Sequence, residues 1–403
     1  MSPSQVKLSN GLTVLFIPHK DVNSVVIQLR GNVGSNLESK SEIGAAHLTE
    51  HIILNQIRPD VGGEVFGVTS RDDGLIMIKS LNSSFNKNIG AIAYHTFTPV
   101  FTKNNLELQK KLSFKEIDRH KNSPEKHLIR ISNKTLYQSG RMSVLNTGEK
   151  DDIRKLSLSN IRSFHKRHYH ASNFVLAISG NVNKNRALSL AKKYFSSIPL
   201  GIKSKSPNHY QDNSLQITNK VMPNLSQTYV KIDFYGFPLK NKRRYALSIL
   251  SQILNLQIMQ LINTKLGMSY KLSCFAYSSG TYGILSIVAT LDEKDIDEFF
   301  NVIRSFIYQT PKNFGDKNIR SAIDRIVRNL LFDFDKTSLR ADFYSQMRLH
   351  ISKQKSYDDE IVGYKNTSKK AVVEALKYIK NQEPKITVIS GKNLKNKIEK
   401  IFK

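Results

Sequence analysis

Residues 175–195 read VLAISGNVNKNRALSLAKKYF, and residues 386–402 read ITVISGKNLKNKIEKIF. Each is a short apolar run, a Ser-Gly turn, and an amphipathic helix carrying Leu, Ile or Phe on one side. Pairing Ser179-Gly180 with Ser390-Gly391 sets an offset of 211 residues, about half of the 403-residue chain. The same strand–turn–helix unit, met again at the C-terminus, points to an internal duplication. The expected fold is therefore α+β: two similar domains, residues 1–205 and 206–403, each a mainly antiparallel sheet packed against helices. The polar stretch GIKSKSPNHYQDN at 201–213 is the natural linker.

Working outward, VKLSNGLTVLFIPH (6–19) alternates around an Asn-Gly turn and predicts a hairpin. NSVVIQLRGNVG (23–34) predicts a further strand. Helical periodicity follows at about 44–57, 86–97, 104–121 and 157–170, with Ser157 as an N-cap. The second half opens near residue 212, with a strand in QTYVKIDFYGF (227–237). A long apolar helix (243–265) and strands at about 270–277 and 282–290 come next.

Composition bounds the function. Hydrophobic residues are 39% and charged residues 23%, as in a folded globular protein. The single cysteine, Cys274, excludes an internal disulfide and a Cys-based zinc knuckle. No run reads as the ~18 apolar residues of a membrane span. MSPSQVKLSNGLTVLF shows neither a basic n-region nor an apolar h-region, so a bacterial-type cytoplasmic location is expected, with the mitochondrial matrix and the periplasm as alternatives. The net charge is +28. Such a balance fits an acidic partner, nucleic acid or anionic lipid. Here the basic residues are spread along a Lys- and Asn-rich chain and no basic stretch is interleaved with aromatics, so no specific nucleic-acid partner is expected.

The chemistry gathers in GAAHLTEHIILNQ (44–56). His47 and His51 are four apart, one turn of helix, and can point at a single ion. Glu50 sits beside them, where a carboxylate can take a proton from water polarised by that ion. Ala45, Leu48 and Ile52 form the apolar stripe of the same helix. Surface helices also carry His and Glu, so three fixed positions alone fit a polar face as well as a metal site. A hydrolytic zinc needs a third protein ligand. LELQKKLSFKEIDRHKNSPEKHL (106–128) offers Glu116, 65 residues beyond His51, but Glu107, Asp118, His120 and Glu125 compete. The cluster HKRHYH (165–170) reads as a solvated helix end.

These residues together resemble the pitrilysin/insulinase family of inverted-motif (HxxEH) zinc peptidases. The likeness is to the half-size form that includes mitochondrial processing peptidase subunits and bacterial relatives. LSNGLTVLFIPH resembles the family's opening hairpin, GAAHLTEHIILN its catalytic helix, and FKEIDRHKNSPEKHL the segment of the third ligand. LSLSNIRSFHKRHYHASNFVLAISGNV (156–182) is similar to the family outside the site, and NTKLGMSYKLSCF (263–275) to its second-domain substrate loop. The resemblance implies one Zn2+ per chain on His47, His51 and Glu116, with Glu50 as general base. It implies a chamber closed by two such units, and an unfolded peptide taken in as an added strand along GGEVFGVTSRDDGLIMI (62–78). Phe66, Gly67, Asn263 and Tyr270 then fall at substrate-contacting positions.

The chain departs from the family pattern three times. Gln109 stands where a second Glu is usual, and is read as supporting the site without ligating. Phe66-Gly67 replaces an Asn-Ala pair. Asn263 replaces the Arg of an Arg/Tyr pair whose Tyr is Tyr270; Arg243 and Arg244 are the nearest substitutes. The resulting expectation is a zinc endopeptidase that is the catalytic subunit of a heterodimer with a related chain lacking HxxEH, a homodimer being the second choice. The alternative is a non-catalytic peptide-binding or scaffolding subunit.

Overall fold

The structure, a computed structural model, describes residues 3–59, 63–207, 209, 211–265, 267, 269–308, 315–351 and 355–402. The strands are β1 Ser4–Lys7, β2 Thr13–Pro18, β3 Ser24–Gly31, β4 Glu64–Thr69, β5 Gly74–Leu81, β6 Phe174–Gly180, β7 Gln216–Val221, β8 Gln227–Tyr235, β9 Ser269–Ser278, β10 Gly283–Asp292 and β11 Lys385–Ser390. The helices are α1 Ala45–Gln56, α2 Phe85–Phe97, α3 Lys103–Lys121, α4 Pro124–Tyr137, α5 Lys150–Lys155, α6 Leu158–His168 and α7 Lys184–Phe195. Then follow α8 Arg243–Met259, α9 Ile296–Tyr308, α10 Asp316–Phe334, α11 Thr337–His350, α12 Tyr357–Lys365, α13 Lys369–Lys380 and α14 Lys395–Phe402.

The first sheet has the order β1-β2-β6-β3-β5-β4, and the second β7-β11-β8-β10-β9. β6 runs parallel to β2 and antiparallel to β3. β11 runs parallel to β7 and antiparallel to β8. The two Ser-Gly copies thus close the same strand of the same motif, β6–α7 and β11–α14. Apart from β1, the sheets match strand for strand, and β4 corresponds to β9 at the free edge. The fold is α+β with two mixed, mainly antiparallel sheets, as the repeat implied.

The chain forms two compact units that interleave in sequence. One is Met1–Ile117, Leu145–Asn208 and Leu330–Glu360; the other is Asp118–Val144, His209–Asn329 and Ile361–Lys403. The passage at 208/209 lies beside the expected boundary at 205/206. Two segments cross over: α11 packs on β3 and β6 of the first sheet, and α4 on β8 and β11 of the second. A helix's apolar stripe says that it is buried, not against which sheet, so a single cut along the chain does not anticipate this exchange.

β3 shows the consequence. Val25, Ile27 and Leu29 enter the main core with Leu48 and Ile52 of α1 and Phe164 of α6. Val26, Gln28 and Arg30 point to the other face, which α11 covers. Both faces are therefore buried, and the alternation along β3 marks an apolar side and a side that mixes Val26 with the polar Gln28 and Arg30, rather than core and solvent. Gln28 Nε2 donates to Ser345 Oγ at 2.7 Å, and Arg30 pairs with Asp73 at 2.9 Å and with Asp342. The segment Arg243–Ile262 is long and apolar enough, by length and composition, to cross a membrane, an exception to the sequence reading. Here its helix α8 packs against β9 and α13 as the core helix of the second unit.

Candidate metal centre

The metal-ligand candidates stand on α1 and α3, both in the first unit up to Ile117. α1 starts at Gly44, which adopts φ +92°, a conformation that favours glycine. The Glu38 carboxylate accepts from the N–H groups of Gly44 (3.1 Å) and Ala46 (2.8 Å) and so caps the helix. Ala45, Leu48 and Ile52 are buried as the stripe predicts. That packing fixes the opposite side of the helix, where His47, Glu50 and His51 emerge.

Glu116 meets them from α3. Its Oε2 lies 3.5 Å from His47 Nε2 and 3.9 Å from His51 Nε2. One donor atom from each of the three residues lies within 4.8 Å of the others, the only such group among the described residues. Zinc bonds of about 2.0–2.1 Å to nitrogen and oxygen put tetrahedral ligands roughly 3.4 Å apart. The observed separations of 3.5 and 3.9 Å are slightly longer than that edge, so the donor set, drawn in by a few tenths of an ångström, fits a small divalent cation. Two of the competitors are placed otherwise: Glu107 pairs with Lys110 at 3.0 Å and Glu125 with Lys271 at 2.8 Å.

Glu50 is 6% exposed. Burial pushes its carboxyl up to about 7; the Thr69 hydroxyl, which donates to Oε2, opposes the shift, and the charge of Glu116 adds to it. A carboxyl poised there can accept and return a proton near neutral pH. Burial lowers the His51 pKa, against the Glu116 charge and a hydrogen bond that the ring donates to the Gln109 side chain. Gln109, 2% exposed, therefore touches a candidate ligand and helps to orient its ring. Two carboxylates and two imidazoles facing one another form a set that a divalent cation would neutralise and organise.

The edge strand β4 lies against α1. Phe66 and Val68 point outward, while Gly67 and Thr69 face the helix. Thr69 was not anticipated; its signal was position, two residues past Gly67 and so on the same side of the strand. The side chains of Asn263 and Tyr270 lie outside the described residues. Arg243 stacks on Phe237 and Tyr378 at 4.3 and 5.0 Å, and Arg244 donates to the Leu239 carbonyl and the Tyr245 hydroxyl. Both arginines are thus engaged locally.

The solvated-end reading of HKRHYH is corrected. His165 Nε2 donates to the Thr96 carbonyl at 2.9 Å and its ring stacks on Tyr169 at 4.4 Å. His168 Nδ1 bonds Ser204 Oγ at 2.9 Å, and His170 Nδ1 lies 3.1 Å from the Leu200 carbonyl. Burial lowers all three pKa values, those of His165 and His168 to about 4. These histidines tie α6 to its neighbours as neutral rings.

Comparison with known proteins agrees with this architecture. The family model "Insulinase (Peptidase family M16)" matches residues 14–146, and "Peptidase M16 inactive domain" matches 155–326. An "Uncharacterized zinc protease" of Rickettsia felis is 23% identical over 352 residues, covering 83% of this chain and 85% of the relative. The crystal structure of a protease from Helicobacter pylori superimposes with a TM-score of 0.84 at 18% identity, over 96% of this chain and all of that one. A chain of Complex III2 from Candida albicans gives 0.85 at 14% identity, over 99% of each. The two family models between them cover the HxxEH helix and most strands of both sheets, and the chain belongs to the insulinase (M16) peptidase family.

Proposed function

We propose that this chain is a zinc-dependent endopeptidase acting on unfolded peptides. The observation that carries the reading is the convergence of His47, His51 and Glu116 within 4.8 Å, with Glu50 on the same helix. A zinc ion held by these three residues would polarise the scissile carbonyl and acidify water. The chain's own residues do the rest. Glu50 takes the proton from the attacking water and returns it to the leaving amine. The free edge of β4 pairs an extended chain by backbone hydrogen bonds, which selects unfolded segments over folded ones. Phe66 and Val68, 46% and 51% exposed, offer that chain apolar contact.

Glu50→Gln tests the reading. It keeps the shape and the zinc ligands but removes the base. Zinc content by elemental analysis stays at one per chain, while peptide hydrolysis falls by about 10²–10⁴-fold. Near wild-type hydrolysis by the variant would remove Glu50 from the mechanism.

The second reading, a non-catalytic peptide-binding or scaffolding subunit, is favoured by Phe66-Gly67 and Asn263 standing where the family pattern has Asn-Ala and Arg. Within the endopeptidase reading, this chain supplies the zinc site of a heterodimer and a related chain lacking HxxEH supplies the Arg. Asn263 offers a neutral hydrogen bond worth about 1 kcal/mol, against roughly 1.5–3 for one to a charged group, a difference of about tenfold in rate or more. Full activity of the isolated chain, unchanged by any partner, would instead favour a self-sufficient homodimer. Zinc-loaded chain that cleaves nothing, alone or with a partner, would favour the scaffold.

A further inference from the structure

Glu50 meets strand β4 at two points. Its Oε2 accepts a hydrogen bond from Thr69 Oγ1. Its other oxygen lies against Gly67, where a Cβ would overlap Oε1 and stand 2.9 Å from the Glu50 Cδ and 2.6 Å from Leu54 Cδ1. Gly67 and Thr69 are two apart on a strand, so both face α1. The glycine lets the carboxylate rest on the backbone, and the threonine holds it there. Behind it is a small cavity lined by Val33, Leu75, Ile76, Phe174 and Tyr169. Those walls are apolar except for Tyr169, and Thr69 is the residue whose hydroxyl is within bonding distance. A glutamate side chain turns about three bonds, and a single O–H···O⁻ bond of the charge-assisted kind is enough to select one arrangement.

We propose that Thr69 is a positioning residue for Glu50, and that the inner face of β4, Gly67 with Thr69, is the seat of the carboxylate. This rests on the endopeptidase reading above. It adds a coupling to that reading. The strand whose free edge would pair with peptide is also the strand that aims the base. A displacement of β4 on pairing is then passed to Glu50 through the Thr69 hydroxyl.

Thr69→Val removes the hydroxyl and keeps the shape; Thr69→Ser keeps the hydroxyl. In the zinc-loaded chain, kcat of Thr69→Val should fall about 10- to 100-fold, the scale expected of a reacting group misplaced by about an ångström. KM and zinc content should not change, and Thr69→Ser should recover most of the loss. A purely structural role would instead lower zinc content along with rate, and its stability loss would persist in the absence of Glu50.

A second measurement does not use activity. In a thermal-denaturation cycle, Thr69→Val should lower the midpoint by about 2–4 °C beside Glu50 and by less than about 1 °C in a Glu50→Ala background. Additive shifts, a Thr69→Val kcat within about twofold of wild type, or a Thr69→Ser variant as impaired as Thr69→Val would each overturn the proposal. If the zinc-loaded wild type cleaves no peptide, the endopeptidase reading fails, and the cycle still decides whether Thr69 seats Glu50.

Discussion

Asp73→Asn should be among the most damaging single-atom changes in the first unit. Asp73 is 4% exposed and accepts from Arg30 Nη1 at 2.9 Å, His350 Nε2 at 2.7 Å and Ser70 Oγ at 2.8 Å. Burial alone would raise its carboxyl pKa. The charge of Arg30, then His350 and Ser70, outweighs burial and holds it well below the usual carboxylate range. These bonds join β3, the β4–β5 turn and α11, so they attach a helix from the C-terminal half of the chain to the first sheet. Asparagine keeps the shape but removes the charge and sets an amide N–H among donors. Breaking one partner of a buried ion pair costs about 3–5 kcal/mol. Asp342 still pairs with Arg30, although its side chain is 41% exposed, so the lower end, about 3 kcal/mol, applies.

Urea unfolding followed by far-UV circular dichroism is the assay. With a slope of roughly 3 kcal/mol per molar, the midpoint should drop by about 1 M at pH 7. The folded pKa is depressed, so this stability is present above the unfolded value of about 3.9 and is lost as pH falls through the folded value. The gap between wild type and Asp73→Asn should therefore be constant from about pH 7 to 5 and narrow below about 4. A midpoint shift under about 0.2 M, or a gap that does not narrow in acid, would refute the reasoning.

Other outcomes follow from the same geometry. Gln109→Leu removes the side chain that hydrogen-bonds His51 and should weaken zinc binding by about 10- to 100-fold in chelator competition, with the fold intact. The lowered pKa of His165, about 4 against about 6.5 unfolded, means that its neutral form is favoured in the fold. Its contribution is present above about pH 6.5 and is lost as pH falls toward 4, up to about 3 kcal/mol. His165→Gln, which does not titrate, should flatten the stability profile in that window; an unchanged profile would contradict a buried neutral ring.

Much of this protein was legible in its sequence because the signals were local. The repeated strand–turn–helix unit placed β6 and β11, and with them the duplication. Helical spacing put His47, Glu50 and His51 on one face, and Ser157 accepts from the Asn160 N–H as the expected N-cap. What spacing could not settle was which of five acidic or histidine side chains completes the set. The fold brings Glu116 of α3 to 3.5 Å from His47 Nε2, which spacing along the chain does not record. The sequence also misread HKRHYH, since charged neighbours signal solvent only where nothing covers them.

By itself, then, the amino-acid sequence determined many of the elements, among them the helix of His47, Glu50 and His51 and the face on which it carries its chemistry, because periodicity and capping act over a few residues. The tertiary structure decided the rest. It put α11 and α4 on the sheets of the opposite halves, buried both faces of β3, and brought Thr69 and Gly67 of an edge strand against Glu50. Those outcomes depend on which apolar face finds which partner far along the chain, and a residue pattern records that a face is buried but not by what.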